Sequence, residues 1–265
     1  MFYRVEPDCQ LRANLLLIFM ICTQDIAQRT NYTPNVGAVT SKILLNVLSD
    51  HGLHETALRV ATTTDEPSWG YWWSLGATTC FENWPWTTAG VNGANTTLHP
   101  GTQNHIFLCG GIGEWMWKHE VGLALTSPAF ATVRIAPKIN SKFGPTSTTA
   151  QFLSARGEIR VSWRLLDQDA GSAAVMLNVS LPVGVGRATV LVPKPFDHTG
   201  QPVDCSVVAL NGKTVWNGEK LVVTGSPSAT GVLSAADEPT GVRFDVLNGG
   251  FAYRASACNR ASNPI

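Results

Sequence analysis

The chain has 265 residues, of which only 14 % are charged, and its 19 basic and 19 acidic side chains cancel. That balance excludes the basic excess needed to hold nucleic acid or an anionic membrane surface, and it suits a neutral ligand such as a carbohydrate. With 44 % hydrophobic residues there is material for one large domain or two ordinary ones, and no long segment has a disordered composition.

Near the N-terminus, residues 15–22 form an apolar run too short to span a membrane. The run suits the hydrophobic stretch of a signal peptide. Glu6 and Asp8 precede it, however, and no small-x-small cleavage site follows. Secreted and intracellular locations therefore both stay open. The sequons at Asn31, Asn95 and Asn178 matter only on a secretory route. The six cysteines (Cys9, Cys22, Cys80, Cys109, Cys205 and Cys258) are scattered, with no C-x-x-C pair. A zinc or thioredoxin-like motif is not indicated, disulfide pairing is unassigned, and most are expected as small buried hydrophobes.

From Thr40 to about Leu125 the apolar period is helical. Ile43, Leu44, Val47 and Leu48 predict one buried face, with Gly52 as the stop. A second helix, from His54 to Thr62, turns Ala57, Leu58 and Ala61 inward and makes an antiparallel hairpin with the first. After an aromatic segment and a Gly/Asn/Thr-rich stretch over 90–101, a third helix is predicted from Asn104 to Leu125. Gly110, Gly111 and Gly113 inside it are costly for a helix and point to close approach of a neighbour.

Beyond Ala131 the period becomes two. Strands are predicted at 157–166, around Val175–Leu181, and at 188–192 before Pro193. Asn211-Gly212 reads as a hairpin turn between 206–210 and 213–216. Asn248-Gly249-Gly250 reads as the turn of a final hairpin joining Val242–Val246 to Phe251–Tyr253. Six to eight such strands indicate an antiparallel β-sandwich. The fold class is therefore α+β and multidomain. It comprises an unmatched segment 1–35, a helical part 36–131 that looks like a piece of something larger, and a sandwich 132–265.

The chemistry concentrates in residues 67–86, PSWGYWWSLGATTCFENWPW, which hold five of the nine tryptophans and one carboxylate, Glu82. Aromatic faces stack on the C–H faces of sugar rings, and a carboxylate partly desolvated among them suits proton transfer. Thr79 and Glu82 also have the spacing of a capping box, but the aromatic density favours the chemical role. Trp69, Trp73 and Trp84 are candidate sugar contacts, with Trp72 and Trp86 beside them and core packing expected of most of the five. Asp65 and Glu66 are candidate partner carboxylates whose loop position suggests exposure. His105 can hydrogen-bond a sugar hydroxyl or orient the carboxylate. Glu114 has the spacing for a pair with Lys118. No phosphate loop, H-E-x-x-H or G-x-S-x-G motif occurs, so neither cofactor nor metal is expected.

Pro67-Ser68-Trp69-Gly70-Tyr71, Gly76-Ala77-Thr78-Thr79-x-x-Glu82-x-Trp84, Asn104-His105 and Gly113-Glu114-Trp115 follow one another in order. They continue into Ile135-Ala136-Pro137, Gly157-Glu158-Ile159 with Trp163, and Leu181-Pro182 through Val192-Pro193. Together these pieces resemble the C-terminal part of the inverting α-L-rhamnosidases, glycoside hydrolase family 78. The resemblance implies the end of an (α/α)6 barrel followed by a β-sandwich, and a rhamnose-containing glycoside or polysaccharide as partner. It casts Glu82 as the general base and His105 as a substrate contact. The family's general acid belongs to an Asp/Arg-rich motif that does not occur in these 265 residues. Phe81 also stands where an aromatic before the base is usually Trp. The other expectations are a non-catalytic remnant, or a carbohydrate-binding protein using Trp216, Phe196 or Tyr253 on its sandwich.

Overall fold

A computed structural model describes residues 30–34, 36, 38–74, 76–82, 84, 104–166, 173–222, 226 and 230–258. The apolar run 15–22, the 90–101 stretch, the Asn95 sequon and Trp86 lie outside the described residues. The chain forms two compact units, Met1–Gly113 and Glu114–Ile265.

In the first unit α1 (Ala38–Asp50) and α2 (His54–Thr62) form the expected hairpin. Gly52 takes a left-handed φ of 86°. The amide of Leu53 donates to the Leu48 carbonyl and that of Gly52 to Ser49, the paired bonds of a Schellman stop. The buried face of α2 adds Val60 to the predicted Ala57, Leu58 and Ala61. The buried stripe of α1 differs from expectation. It consists of Ser41, Leu45, Asn46, Leu48 and Ser49, while Ile43 is 54 % exposed and Leu44 and Val47 are half-buried. The reason is close helix packing. A Cβ on Gly111 would come within 2.7 Å of the Lys42 Cα, so small residues face that contact. Of the three helix glycines, Gly111 alone meets a neighbour this closely among the described residues.

The third helix is shorter than predicted. α3 (Trp69–Ser74) lies in the aromatic segment, and α4 covers Ile106–Trp115. A π-helical turn, Met116–Glu120, follows, and then Gly122 at φ 78°. A Cβ on Gly122 would lie 2.2 Å from the Pro137 nitrogen. Leu123–Leu125 is then the first strand, not the end of a helix.

In the second unit β1 (Leu123–Leu125), β2 (Thr132–Ile135), β6 (Arg187–Pro193), β10 (Gly241–Val246) and β9 (Val232–Glu238) form one sheet in that order. The other sheet is ordered β3 (Ser147–Ser154), β4 (Gly157–Leu166), β5 (Ala174–Leu181), β11 (Gly249–Ala257), β7 (Ser206–Leu210) and β8 (Lys213–Trp216). Every pairing is antiparallel except β2 with β6. The alternation in β4 puts Ile159, Val161 and Trp163 into a core shared by both sheets. The Trp163 indole donates to the Glu120 carbonyl at 2.6 Å, binding the π turn to that core. β7 and β8 pair around Asn211-Gly212 as predicted.

The expected last hairpin does not form. β10 pairs with β6 and β9, whereas β11 pairs with β5 and β7. Asn248-Gly249-Gly250 therefore carries the chain from one sheet to the other. A hairpin turn and an inter-sheet corner ask for the same residues, so the local pattern does not separate them. Cys205 and Cys258 form a disulfide across the ends of β7 and β11, and Cys80 is also disulfide-bonded. These three are thus cross-links, which the sequence left unassigned.

Trp216, Phe196 and Tyr253, the sandwich aromatics proposed as exposed sugar contacts, are buried at 4 %, 6 % and 0 % exposure. Their side chains fill the inter-sheet core, where apolar burial outweighs the one polar atom that Trp216 and Tyr253 each carry. Tyr253 packs against Phe244 and Phe251. Its hydroxyl has no hydrogen-bond partner among the described residues, and burial pushes its pKa up. A buried unpaired hydroxyl is destabilising by about 1–3 kcal/mol. Tyr253→Phe should therefore leave stability to urea unchanged or raise it by about 1 kcal/mol. A loss larger than that would mean the hydroxyl is satisfied.

Candidate functional site

Ser68 starts the aromatic segment. Fully buried, its Oγ accepts the Tyr71 amide at 2.9 Å and caps α3. Eight residues after Ser68 the helix stops on Gly76, at φ 83°. The Ala77 amide donates to Trp72 and the Gly76 amide to Trp73, a second Schellman stop. This reversal folds residues 77–82 and Trp84 back over the helix they leave.

The fold-back is held by rings. Trp72 is fully buried; it stacks on Trp84 at 4.8 Å and meets Phe81 edge-on at 5.2 Å. Its indole N–H donates to the Trp84 carbonyl at 3.0 Å. Trp69 is also fully buried and meets Trp84 edge-on at 4.9 Å. The Trp84 indole in turn donates to the Val36 carbonyl. Of the three candidate sugar contacts, Trp69 and Trp84 thus sit in this buried cluster, whereas Trp73 is 50 % exposed.

Glu82 is half-buried and stands in the chain between the buried residues Phe81 and Trp84. Residues 77–82 are irregular and not helical, so Thr79 and Glu82 do not form the alternative capping box: Gly76 has already ended α3, and no helix starts before Glu82. The His105 backbone amide donates to the Cys80 carbonyl at 2.8 Å. That bond sets His105, half-buried just before α4, beside the chain that leads into Glu82. The structure thus brings the Glu82 and His105 segments together although 23 positions separate them. Asp65 and Glu66 are exposed. Asp65 accepts from the Asn31 side chain at 2.8 Å. Burial, followed by the Glu66 charge and a hydrogen bond to its carboxylate, raises the Tyr71 hydroxyl above its ordinary pKa. Among the described residues no group of three or more His, Cys, Asp or Glu is placed to hold a metal ion, and no helix is long and apolar enough to cross a membrane.

Sequence reasoning overlooked Ser68 as the helix start and Gly76 as its stop. Both were legible, as serine after proline and glycine after an apolar run. The ring cluster sets a clear contrast between two neighbouring tryptophans. Trp84→Ala removes a buried ring and should cost about 3–5 kcal/mol of stability. Trp73→Ala should change stability by no more than about 0.5 kcal/mol. Urea unfolding of the two variants checks this, and equal losses would contradict the packing described.

Comparison with known proteins places both units. Residues 22–119 match the bacterial alpha-L-rhamnosidase 6 hairpin glycosidase domain, and residues 122–204 match the bacterial alpha-L-rhamnosidase C-terminal domain. An alpha-L-rhamnosidase of Streptomyces avermitilis is 30 % identical over 164 residues, covering 62 % of this chain and 15 % of the relative. One from Formosa agariphila is 27 % identical over 145 residues, covering 55 % of this chain and 15 % of the relative. The chain thus spans about a seventh of the length of these relatives. The solved alpha-L-rhamnosidase of Dictyoglumus thermophilum aligns with a TM-score of 0.69 at 19 % identity, covering 90 % of this chain and 23 % of that one. The Streptomyces avermitilis structure, complexed with L-rhamnose, aligns with a TM-score of 0.65 at 23 % identity, covering 94 % and 20 %. Helical unit, β-sandwich and sequence agree: the chain is a partial member of the α-L-rhamnosidase family, carrying six-hairpin glycosidase sequence followed by the family's C-terminal domain.

Proposed function

We propose that the chain supplies the base side of an inverting α-L-rhamnosidase site, with rhamnose-containing glycosides as substrate. The observation that carries this is the Cys80–His105 backbone bond, which joins the two segments holding the residues the family resemblance singles out. In this role Glu82 takes a proton from water as that water attacks the anomeric carbon from the face opposite the leaving group. Its half-buried position, in the chain between Phe81 and Trp84, suits a carboxylate that must be both reachable and partly desolvated. His105 hydrogen-bonds the sugar, and the exposed Trp73 offers it a ring face. Trp69 and Trp84 act from beneath, by fixing the backbone on which Glu82 sits.

Inversion needs a second carboxyl group, roughly 6.5–9.5 Å from the base, to protonate the leaving oxygen. The Asp/Arg-rich motif that would hold it is missing from these 265 residues, so the acid must come from polypeptide outside them. Losing general acid catalysis alone costs about 10²–10⁴-fold in rate. The purified chain should accordingly release no more aryl alcohol from an aryl α-L-rhamnoside than a buffer control. Robust turnover abolished by Glu82→Gln would show that the chain holds both groups, and would overturn the half-site. The base role is tested by grafting residues 36–131 into the Streptomyces avermitilis enzyme in place of its matching segment. Glu82→Gln in that chimera should lower kcat at least about 10²-fold; an unchanged kcat would remove Glu82 from the chemistry.

A further inference from the structure

The second unit carries a cavity of about 400 Å³ whose lining includes Glu114, Trp117, Lys118, Leu125, Phe130 and Phe152, and none of Glu82, His105 or Trp73. Three aromatic rings form its wall. Phe152 on β3 meets Trp117 edge-on at 5.6 Å and Phe130 at 4.9 Å. Trp117 is 37 % exposed and Leu125 57 %, so the rings border an open cavity. Glu114 and Lys118 supply a carboxylate and an ammonium of opposite sign.

Two uncommon backbone features set this wall. Trp117 and Lys118 stand on the π-helical turn Met116–Glu120; such turns are rare and concentrate at functional sites. Phe130 ends a short turn in which Ala129 and Phe130 both take left-handed φ, 54° and 57°. For a bulky aromatic this is an outlier that the surroundings must impose. Here the Arg156 guanidinium donates to the Ala129 carbonyl at 3.0 Å, and the Thr132 amide donates to the Ser127 hydroxyl at 2.7 Å. The π-helical turn is anchored to the sandwich core at Glu120, and Phe130, half-buried, packs at the edge of that core. What the two features jointly do is direct two rings and a charged side chain to one cavity.

We propose that this cavity is a sugar-binding site taking a pyranose ring of a neutral glycan. Aromatic faces are electron-rich and attract the weakly positive C–H faces of such a ring. The opposed charges of Glu114 and Lys118 leave the site without net charge, which disfavours an anionic or cationic ligand, while both groups can hydrogen-bond hydroxyls. A volume of about 400 Å³ lies in the range of small-molecule sites. The assignment does not rest on Glu82 and stands or falls separately from the rhamnosidase half-site.

The test uses the purified 265-residue chain and ligand-observed saturation-transfer NMR with methyl α-L-rhamnoside, methyl β-D-glucoside and maltotetraose. At least one should bind with a Kd of about 1 mM or tighter. Trp117→Ala should weaken it roughly tenfold, Trp117→Phe should keep most of it, and replacement of the exposed Val183 by Ala, away from the cavity, should leave it unchanged. Circular dichroism reports folding; should Trp117→Ala not fold, Glu114→Gln carries the test, with a weakening of about threefold or more expected. The proposal is overturned if none of the three sugars binds. Binding indifferent to Trp117→Ala and Glu114→Gln, or lost in Val183→Ala, would also overturn it. So would a dimer that Trp117→Ala dissociates, since the cavity would then be a contact between copies.

Discussion

The Trp72 indole donates to the Trp84 carbonyl while the two rings stack at 4.8 Å, and the geometry of the candidate site depends on this pair. A fully buried indole N–H needs an acceptor, because leaving it unpaired costs more than any single ring contact returns. The acceptor it finds is the carbonyl of Trp84, two residues after Glu82 in the chain. The demand for one hydrogen bond thus fixes where the chain around Glu82 passes. Ser68 and Gly76 set the start and stop of the short helix that carries Trp72, and Phe81 and Trp69 close the cluster around it.

The same logic recurs in the second unit. The Trp163 indole, buried on β4, donates to the Glu120 carbonyl. A strand of the sandwich is thereby bonded to the π-helical turn that precedes it, and that turn holds Trp117 and Lys118 at the aromatic cavity. In both units a tryptophan serves first as a core residue with one polar atom to satisfy. The position of a chemically interesting segment follows from how that atom is satisfied.

This bears on how aromatic density should be read. Many tryptophans near one carboxylate suggest a sugar platform, yet Trp69, Trp72 and Trp84 are buried and brace one another. Only a minority can present a face to a ligand, since a large apolar ring stabilises the fold most when it is removed from water. The backbone path of a segment braced this way is set by packing, which is what the base role proposed for Glu82 asks of it. The sandwich shows the same partition. Its largest aromatics are interior, and the exposed rings at its cavity are those held there by unusual backbone.

Much was legible in the residues themselves. Period two gave β4, β5 and β6 within a residue or so of their observed bounds, Asn211-Gly212 marked a true hairpin, and Gly52 ended α1 where its lack of a Cβ allowed a left-handed turn. The order of motifs around Glu82 and His105 pointed to the family. What local pattern left open was every choice of partner. The inward face of α1 was set by Gly111 meeting the Lys42 backbone, and the destination of β11 by pairing with β5 and β7. The Cys205–Cys258 bond and the burial of Tyr253 were decided the same way. Periodicity and turn residues state what a segment needs; which distant segment meets that need is decided only when all of them compete for the same core.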